Sequence, residues 1–159
     1  MFIETNRCLI RRFDEKDIDE FMVYRNNDKW MQYQGFKGLT KQEYIKELLG
    51  DINFSKGVQL AIINKSTDNL IGDIYLKKAD NAFWIGYTIS PSSAKQGYAY
   101  ETVNGIIDWI KETDSNKIYA STLPENIASM NLLKKLGFDF VGKDNEGENL
   151  FVMDLLSAQ

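Results

Sequence analysis

The run Ser92-Ser93-Ala94-Lys95-Gln96-Gly97-Tyr98-Ala99-Tyr100-Glu101 joins a strand pattern that closes at Pro91 to a helical pattern that opens near Gly97. This junction constrains the fold more than any other stretch. Val103, Ile106, Ile107 and Ile110 recur at i, i+3, i+4 and i+7, one apolar face of a helix, and Lys117 to Thr122 reads as the next strand. A strand, a helix and a strand in that order place the two strands as parallel neighbours with a right-handed crossover. Pro91 has no backbone N–H to give a ladder and ends the first of them. A mixed sheet with helices on its faces follows. The helix start carries a second meaning, because its first amides have no partner within the helix and can hold a phosphate group. Gly97 lets an anion approach the main chain, and Lys95 adds a positive charge beside it. On its own residues the segment reads as a diphosphate cradle or as a plain turn into a helix.

The remaining chain supplies the elements around this unit. Cys8 to Phe13 alternates as a strand, and an acidic start at Asp14 to Asp17 leads into a helix that runs to about Arg25. Asn26 to Leu39 is a loop or short helix bearing glycine and aromatic residues. Thr40 and Glu43 form a capping box, Leu39 and Tyr44 a hydrophobic staple, and Tyr44, Ile45, Leu48, Leu49 and Ile52 continue that helix. Val58 to Asn64, Leu70 to Leu76 and Ala82 to Ile89 are strand-like runs joined by polar turns, an antiparallel meander. Asn126 is placed to cap a helix ended by Gly137, and a final pair of strands closes the chain.

Composition excludes several function classes. The chain of 159 residues reads as one domain over 1–159, long enough to bury its core without a disulfide or a metal. Cys8 is its one cysteine, which forbids an internal disulfide, suits a reducing compartment and reads as a buried, inert thiol. No stretch approaches the roughly 20 apolar residues that span a bilayer, so the expectation is a soluble, cytoplasmic protein that uses no membrane. The net charge of −4 is made of interspersed signs, which suits no nucleic-acid surface. It suits an amine-bearing partner, or solubility alone. Histidine is absent, which excludes histidine-activated nucleophiles and histidine metal ligands. A general base must then be a carboxylate, a tyrosine, a lysine or water.

The order of two motifs sharpens the reading. After the cradle, its helix and a strand comes Pro124-Glu125-Asn126-Ile127-Ala128-Ser129-Met130-Asn131-Leu132-Leu133-Lys134-Lys135-Leu136-Gly137-Phe138, in which Asn-x-x-Ser opens a helix ending in Leu-Gly-Phe. With this constellation the chain resembles the GNAT superfamily of N-acetyltransferases, in the branch typified by bacterial ribosomal-protein N-terminal acetyltransferases. The opening Ile3-Glu4-Thr5-Asn6-Arg7-Cys8-Leu9-Ile10-Arg11-Arg12-Phe13 and the run Ile85-Gly86-Tyr87-Thr88-Ile89 look like the same branch. The resemblance covers essentially the whole chain. It implies a single-domain α/β fold whose mixed, mostly antiparallel central sheet is splayed in the middle and carries helices on both faces. It implies acetyl-coenzyme A in that wedge, no metal, and Tyr87, Thr88, Ile89, Lys95, Gln96, Gly97, Tyr98, Ala99 and Tyr100 around the coenzyme. By the same resemblance Asn126 contacts the pantetheine arm and Ser129 faces the thioester sulfur, and a homodimer stays open.

Four positions depart from the pattern of these relatives. Ala94 takes the first cradle position, and Tyr100 stands where the branch often carries threonine. Leu133 occupies the place of a tyrosine acid, which leaves Ser129 as the candidate. Trp84 stands where relatives carry a glutamate ahead of Ile-Gly-Tyr, so the usual base position is empty. Asp73, on the neighbouring strand, is the replacement base that the sequence offers. Acetyl transfer needs a neutral amine: at pH 7 an α-amine is roughly 10% neutral and a lysine amine below roughly 0.1%. An α-amine, as on a protein N-terminus, an amino acid or another small amine, is thus the acceptor least dependent on a base. Trp30, Tyr33, Phe36 and Trp84 are the candidates to line the acceptor pocket, or equally to cover the core edge. The alternative function is a non-catalytic module that binds acyl-coenzyme A as a sensor or partner.

Overall fold

Strand β3 (Val58–Asn64) is buried almost throughout, Leu60 and Ile62 toward one face of the sheet and Ala61 and Ile63 toward the other. A strand of that kind must be covered on both sides. In the computed structural model, which describes residues 2–156, helices supply both covers. The strands β1 (Phe2–Glu4) and β2 (Cys8–Arg11) are followed by a 3-10 turn (Glu15–Asp17) and by α1 (Ile18–Arg25) and α2 (Lys41–Leu48). Next come β3, β4 (Leu70–Ala79), β5 (Ala82–Ile89), a second 3-10 turn (Pro91–Ser93) and α3 (Tyr98–Lys111). The chain closes with β6 (Lys117–Thr122), α4 (Ile127–Lys135), β7 (Asp139–Lys143) and β8 (Asn149–Asp154).

The eight strands form one sheet in the order β1-β2-β3-β4-β5-β6-β8-β7. Every pairing is antiparallel except β5 with β6. This parallel pair holds only at Ala82↔Lys117, Phe83↔Ile118 and Trp84↔Tyr119. Beyond it β5 stays with β4 as far as Gly72↔Ile89, and β6 stays with β8 as far as Thr122↔Asn149. The sheet is therefore split from Ile85 onward, and both edges of the split are held from behind.

The core lies in two parts. Leu60, Ile62, Ile74 and Phe83 pack under α3 and α4 against Ile106, Ile110 and Leu133. On the opposite face Phe21, Tyr24, Tyr44 and Leu48 of α1 and α2 close over Ala61 and Ile63. The capping box at Thr40 is formed on both sides, Thr40 Oγ1 accepting the Glu43 N–H at 3.2 Å and Glu43 accepting the Thr40 N–H at 3.0 Å. That helix stops at Leu48, earlier than the periodicity through Ile52 suggests, because Gly50 follows and Ile52 turns to the other core. The opening segment is likewise two strands rather than one, with a tight reversal at Thr5–Arg7 in which the Thr5 N–H donates to the Cys8 carbonyl at 2.9 Å. The Cys8 thiol is buried and its pKa is pushed up to about 11 by that burial, so it is inert.

Ile106→Ala empties a fully buried position of α3 and is expected to destabilise the protein by about 2–5 kcal/mol. Ile127→Ala, at an exposed position, should change stability by less than about 0.5 kcal/mol. Urea unfolding of the two variants beside the parent protein checks both.

Candidate active site

The split opens into a cleft of about 730 Å³ between the cradle and the first turn of α4. At the cradle, Lys95 and Gly97 adopt left-handed backbone angles (φ 61° and 82°) on either side of Gln96. Gly97 caps α3, and the first amide bonded within the helix is that of Glu101, to the Gly97 carbonyl at 3.1 Å. The amides of Tyr98, Ala99 and Tyr100 thus have no helical partner, and these residues line the cleft with Lys95 and Gly97. Free amides at a helix start, a glycine that admits close approach and a cleft of this size fit a ligand with a diphosphate in its middle. Gln96, by contrast, lines the neighbouring groove, and its carbonyl accepts from Arg7 Nη1 at 2.9 Å.

Strand β5 forms the wall opposite α4. The Trp30 indole N–H donates to the Ile89 carbonyl at 2.9 Å, whereas the N–H of Ser90 turns the other way, to Ile71 of β4. An extended residue sends its N–H and C=O to the same side, so Tyr87 and Ile89 direct their backbone amides into the split and Thr88 directs its own toward β4. Of the three strand residues expected around the coenzyme, two can therefore donate from the main chain, and Thr88 can reach the cleft only with its side chain. Trp30 and Tyr33, read from the sequence as acceptor-side or core-edge aromatics, roof this same cleft beside the cradle. Phe36 instead packs edge-on against Tyr44 at 5.5 Å, at the rim of the smaller core.

Ser129 lies on the first turn of α4. Its hydroxyl is 2.8 Å from that of Tyr87, and its N–H donates to Asn126 Oδ1 at 3.3 Å. Asn126 Oδ1 is thus spent on the helix cap, and what Asn126 offers a ligand is its pair of side-chain N–H donors. Burial pushes the Tyr87 hydroxyl up to about 12, with the Ser129 bond acting against it, so Tyr87 stays protonated at neutral pH. Position 133 carries no hydroxyl, and the tyrosine hydroxyl beside Ser129 comes from β5. Sequence order conceals this, since the two hydroxyls are 42 residues apart.

Asp73 does not stand where a base is needed. It is fully buried and paired with Arg25 Nη2 at 2.5 Å, and it also accepts from the Tyr24 hydroxyl at 2.5 Å and the Gln59 amide at 2.7 Å. Burial is the strongest influence on its carboxyl and raises it, with Arg25 opposing. The same guanidinium holds the Gly35 and Phe36 carbonyls at 3.1 and 3.4 Å. A carboxylate whose lone pairs are taken by three donors is a strut between β4, α1 and the roof loop.

The carboxylate that does reach the split is Glu148, just ahead of β8, which the sequence does not single out. It lines a narrow recess of about 140 Å³ together with Tyr87, Asn126 and Ser129. It also lines an outer cavity of about 410 Å³ with Trp84, Asp144 and Glu146. Trp84, stacked on Tyr119 at 4.9 Å, is a wall of that outer cavity. Burial, then the neighbouring Asp144 and Glu146, raise the Glu148 carboxyl from its ordinary value. Among the described residues there is no cluster of carboxylates, thiols or imidazoles fit to hold a metal ion, and no helix is long and apolar enough to cross a membrane.

The sequence profile of the Acetyltransferase (GNAT) domain matches residues 7–139. This chain belongs to the GNAT acetyltransferases. GNAT acetyltransferases are enzymes that take the acetyl group from acetyl-coenzyme A. The chain is 31% identical over 140 residues to the uncharacterized N-acetyltransferase YnaD of Bacillus subtilis, covering 86% of this chain and 82% of that protein. The GNAT acetyltransferase from Bacillus anthracis superposes with a TM-score of 0.86 at 23% identity, over 98% of this chain and 99% of that one. RimL, a ribosomal L7/L12 alpha-N-protein acetyltransferase solved with coenzyme A, superposes with a TM-score of 0.83 at 16% identity, over 97% and 98% of the two chains.

Because the acetyltransferase uses Asp73 as a strut, Asp73→Ala should destabilise the fold by about 3–5 kcal/mol, the cost of leaving Arg25 buried without its partner. The double variant Arg25→Met/Asp73→Leu should recover part of that loss. Urea unfolding with a double-mutant cycle is the measurement.

Proposed function

We propose that this enzyme acetylates a primary amine of the α-amine type, on a protein N-terminus, an amino acid or another small amine, with Glu148 accepting the amine proton. The observation that carries this reading is that Glu148, Ser129 and Tyr87 share one recess at the mouth of the split. Acetyl-coenzyme A supplies an activated acetyl group on a thiolate leaving group. The chain's own residues do the rest. The amides of Tyr98, Ala99 and Tyr100 and the Lys95 ammonium hold the diphosphate, and the Asn126 N–H donors take the pantetheine arm. The Tyr87 and Ile89 amides are positioned to bind the carbonyl oxygen as charge builds on it. The Ser129 hydroxyl, held by its bond to Tyr87, donates a hydrogen bond to the sulfur as charge builds on it and keeps its proton, so coenzyme A leaves as the thiolate while the amine's proton goes to Glu148.

Glu148 is suited to the amine for two reasons. Its raised pKa makes it a better proton acceptor than an ordinary carboxylate, and it opens to the outer cavity through which an amine arrives. Asp144 and Glu146 give that entrance a negative lip, which draws a protonated amine in and costs little once Glu148 takes its proton. Trp84 and Tyr119 form an aromatic wall beside it. The alpha-N-protein activity in the name of RimL agrees with an α-amine acceptor.

The reading is tested by following release of coenzyme A thiol from acetyl-coenzyme A with peptide N-termini, amino acids, polyamines and aminoglycosides. Release with α-amines supports it, and release with lysine side chains alone contradicts it. Ser129→Ala is expected to lower turnover up to about 100-fold with little change in coenzyme affinity. Glu148→Gln should cost about 100-fold or more in kcat/KM. The reaction needs Glu148 deprotonated, so the rate falls as pH drops through its raised pKa. Asp144→Asn removes a neighbouring negative charge, lowers that pKa and should shift the acid limb to lower pH. Profiles of parent and variant with one acceptor separate this limb from ionisation of the amine.

A further inference from the structure

We propose that Arg7, from the reversal between β1 and β2, is a positioning residue for the diphosphate cradle: it sets the direction of the Gly97 amide and neutralises Glu101. The inference rests on the acetyl-coenzyme A reading of the cleft. Arg7 touches successive residues of the cradle from outside. Nη1 donates to the Gln96 carbonyl at 2.9 Å, Nη2 lies 3.5 Å from where a Cβ on Gly97 would sit, and the guanidinium carbon is 4.1 Å from the centre of the Tyr98 ring. The Arg7 carbonyl is itself anchored, accepting from the Lys65 N–H at 2.9 Å.

The consequence for the cradle follows from the planarity of the peptide. In a trans peptide the carbonyl of one residue and the N–H of the next point in opposite directions. By holding the Gln96 carbonyl outside, Arg7 turns the Gly97 N–H away from itself. Gln96 lines the outer groove while Gly97 lines the coenzyme cleft, so that direction is inward. Left-handed angles at Lys95 and Gly97 flank this peptide. Lys95 is no glycine, and a side chain in that region costs energy that a fixed contact must offset.

Glu101 supplies the second part. A carboxylate in the first turn of α3 stabilises the empty helix but repels a diphosphate bound at the same end. Here both its oxygens are engaged: Oε1 accepts from Arg7 Nε at 2.6 Å, and Oε2 accepts from the Arg7 N–H at 2.8 Å and the Thr5 hydroxyl at 2.5 Å. The match is close, since a Cβ on Gly105, one turn further along α3, would lie 2.8 Å from the Thr5 methyl. A guanidinium can satisfy a carboxylate and a carbonyl at once through separate N–H groups, which an ammonium does less well.

The test is calorimetric titration of parent, Arg7→Ala and Arg7→Lys with coenzyme A and with pantetheine, which lacks the diphosphate, alongside thermal melting without ligand. Arg7→Ala is expected to weaken coenzyme A about tenfold and to leave pantetheine binding as in the parent. Equal weakening of both ligands, or parent-like affinity for coenzyme A in a folded variant, would overturn the proposal. Should Arg7→Ala fail to fold, Arg7→Lys decides on the same comparison with an intermediate loss expected, and parent-like coenzyme A binding in it overturns the proposal. A parent protein that binds no coenzyme A would overturn the reading of the cleft itself, and this proposal with it.

Discussion

Strands β5 and β6 part after Trp84 and Tyr119, and the rest of the molecule is arranged around that parting. Backbone N–H and C=O groups left without partners in a folded interior are costly. Along β5 the cost is met in one place by Trp30, whose indole N–H takes the Ile89 carbonyl. The amides of Tyr87 and Ile89 remain turned to the cleft, where a ligand can accept from them. The split is stable because neither edge hangs free: β4 supports β5 along its whole length and β8 supports β6. Two separate cores, under α3 and α4 and under α1 and α2, hold the halves from opposite faces.

The charged groups divide according to this geometry. Behind β5 the Arg25–Asp73 pair is closed off by Tyr24 and Gln59 and carries the roof loop through the Gly35 and Phe36 carbonyls. Behind the cradle, Arg7 and Glu101 cancel one another where an anion is to bind. At the mouth of the recess Glu148 stands beside Asp144 and Glu146, and burial first, then these two charges, raise its pKa. The two ion pairs tie elements of the fold together, whereas the acidic group lines the edge of a cavity.

Much of this was legible in the residues. The spacing of Val103, Ile106, Ile107 and Ile110, the box at Thr40 and Glu43 and the glycine at 97 each specify a local conformation, and those conformations are present. What local patterns do not carry is which side chains meet across the fold. Asp73 sits in a strand pattern compatible with exposure, and only the arrival of Arg25, 48 residues away in the chain, makes it a buried strut. Arg7 and Glu101 are 94 residues apart, and Glu101 read alone is no more than a first-turn carboxylate. Glu148 lies in a polar hairpin turn of the kind any soluble chain carries. Its nearness to Ser129 exists only because β8 pairs with β6 beside the split. Trp84 at the place of the usual base leaves that position empty, without saying what takes the proton instead.

The central claim, that the split between β5 and β6 is the coenzyme site, is tested most directly by titrating the isotopically labelled protein with coenzyme A and following its backbone amide resonances. The account predicts the largest shifts at Tyr87, Ile89, Gly97 to Tyr100 and Asn126 to Ser129, with the Asp73 and Arg25 amides little changed. Shifts centred on the groove between α1 and the Pro91–Ser93 turn, or no shifts at saturating coenzyme A, would contradict it.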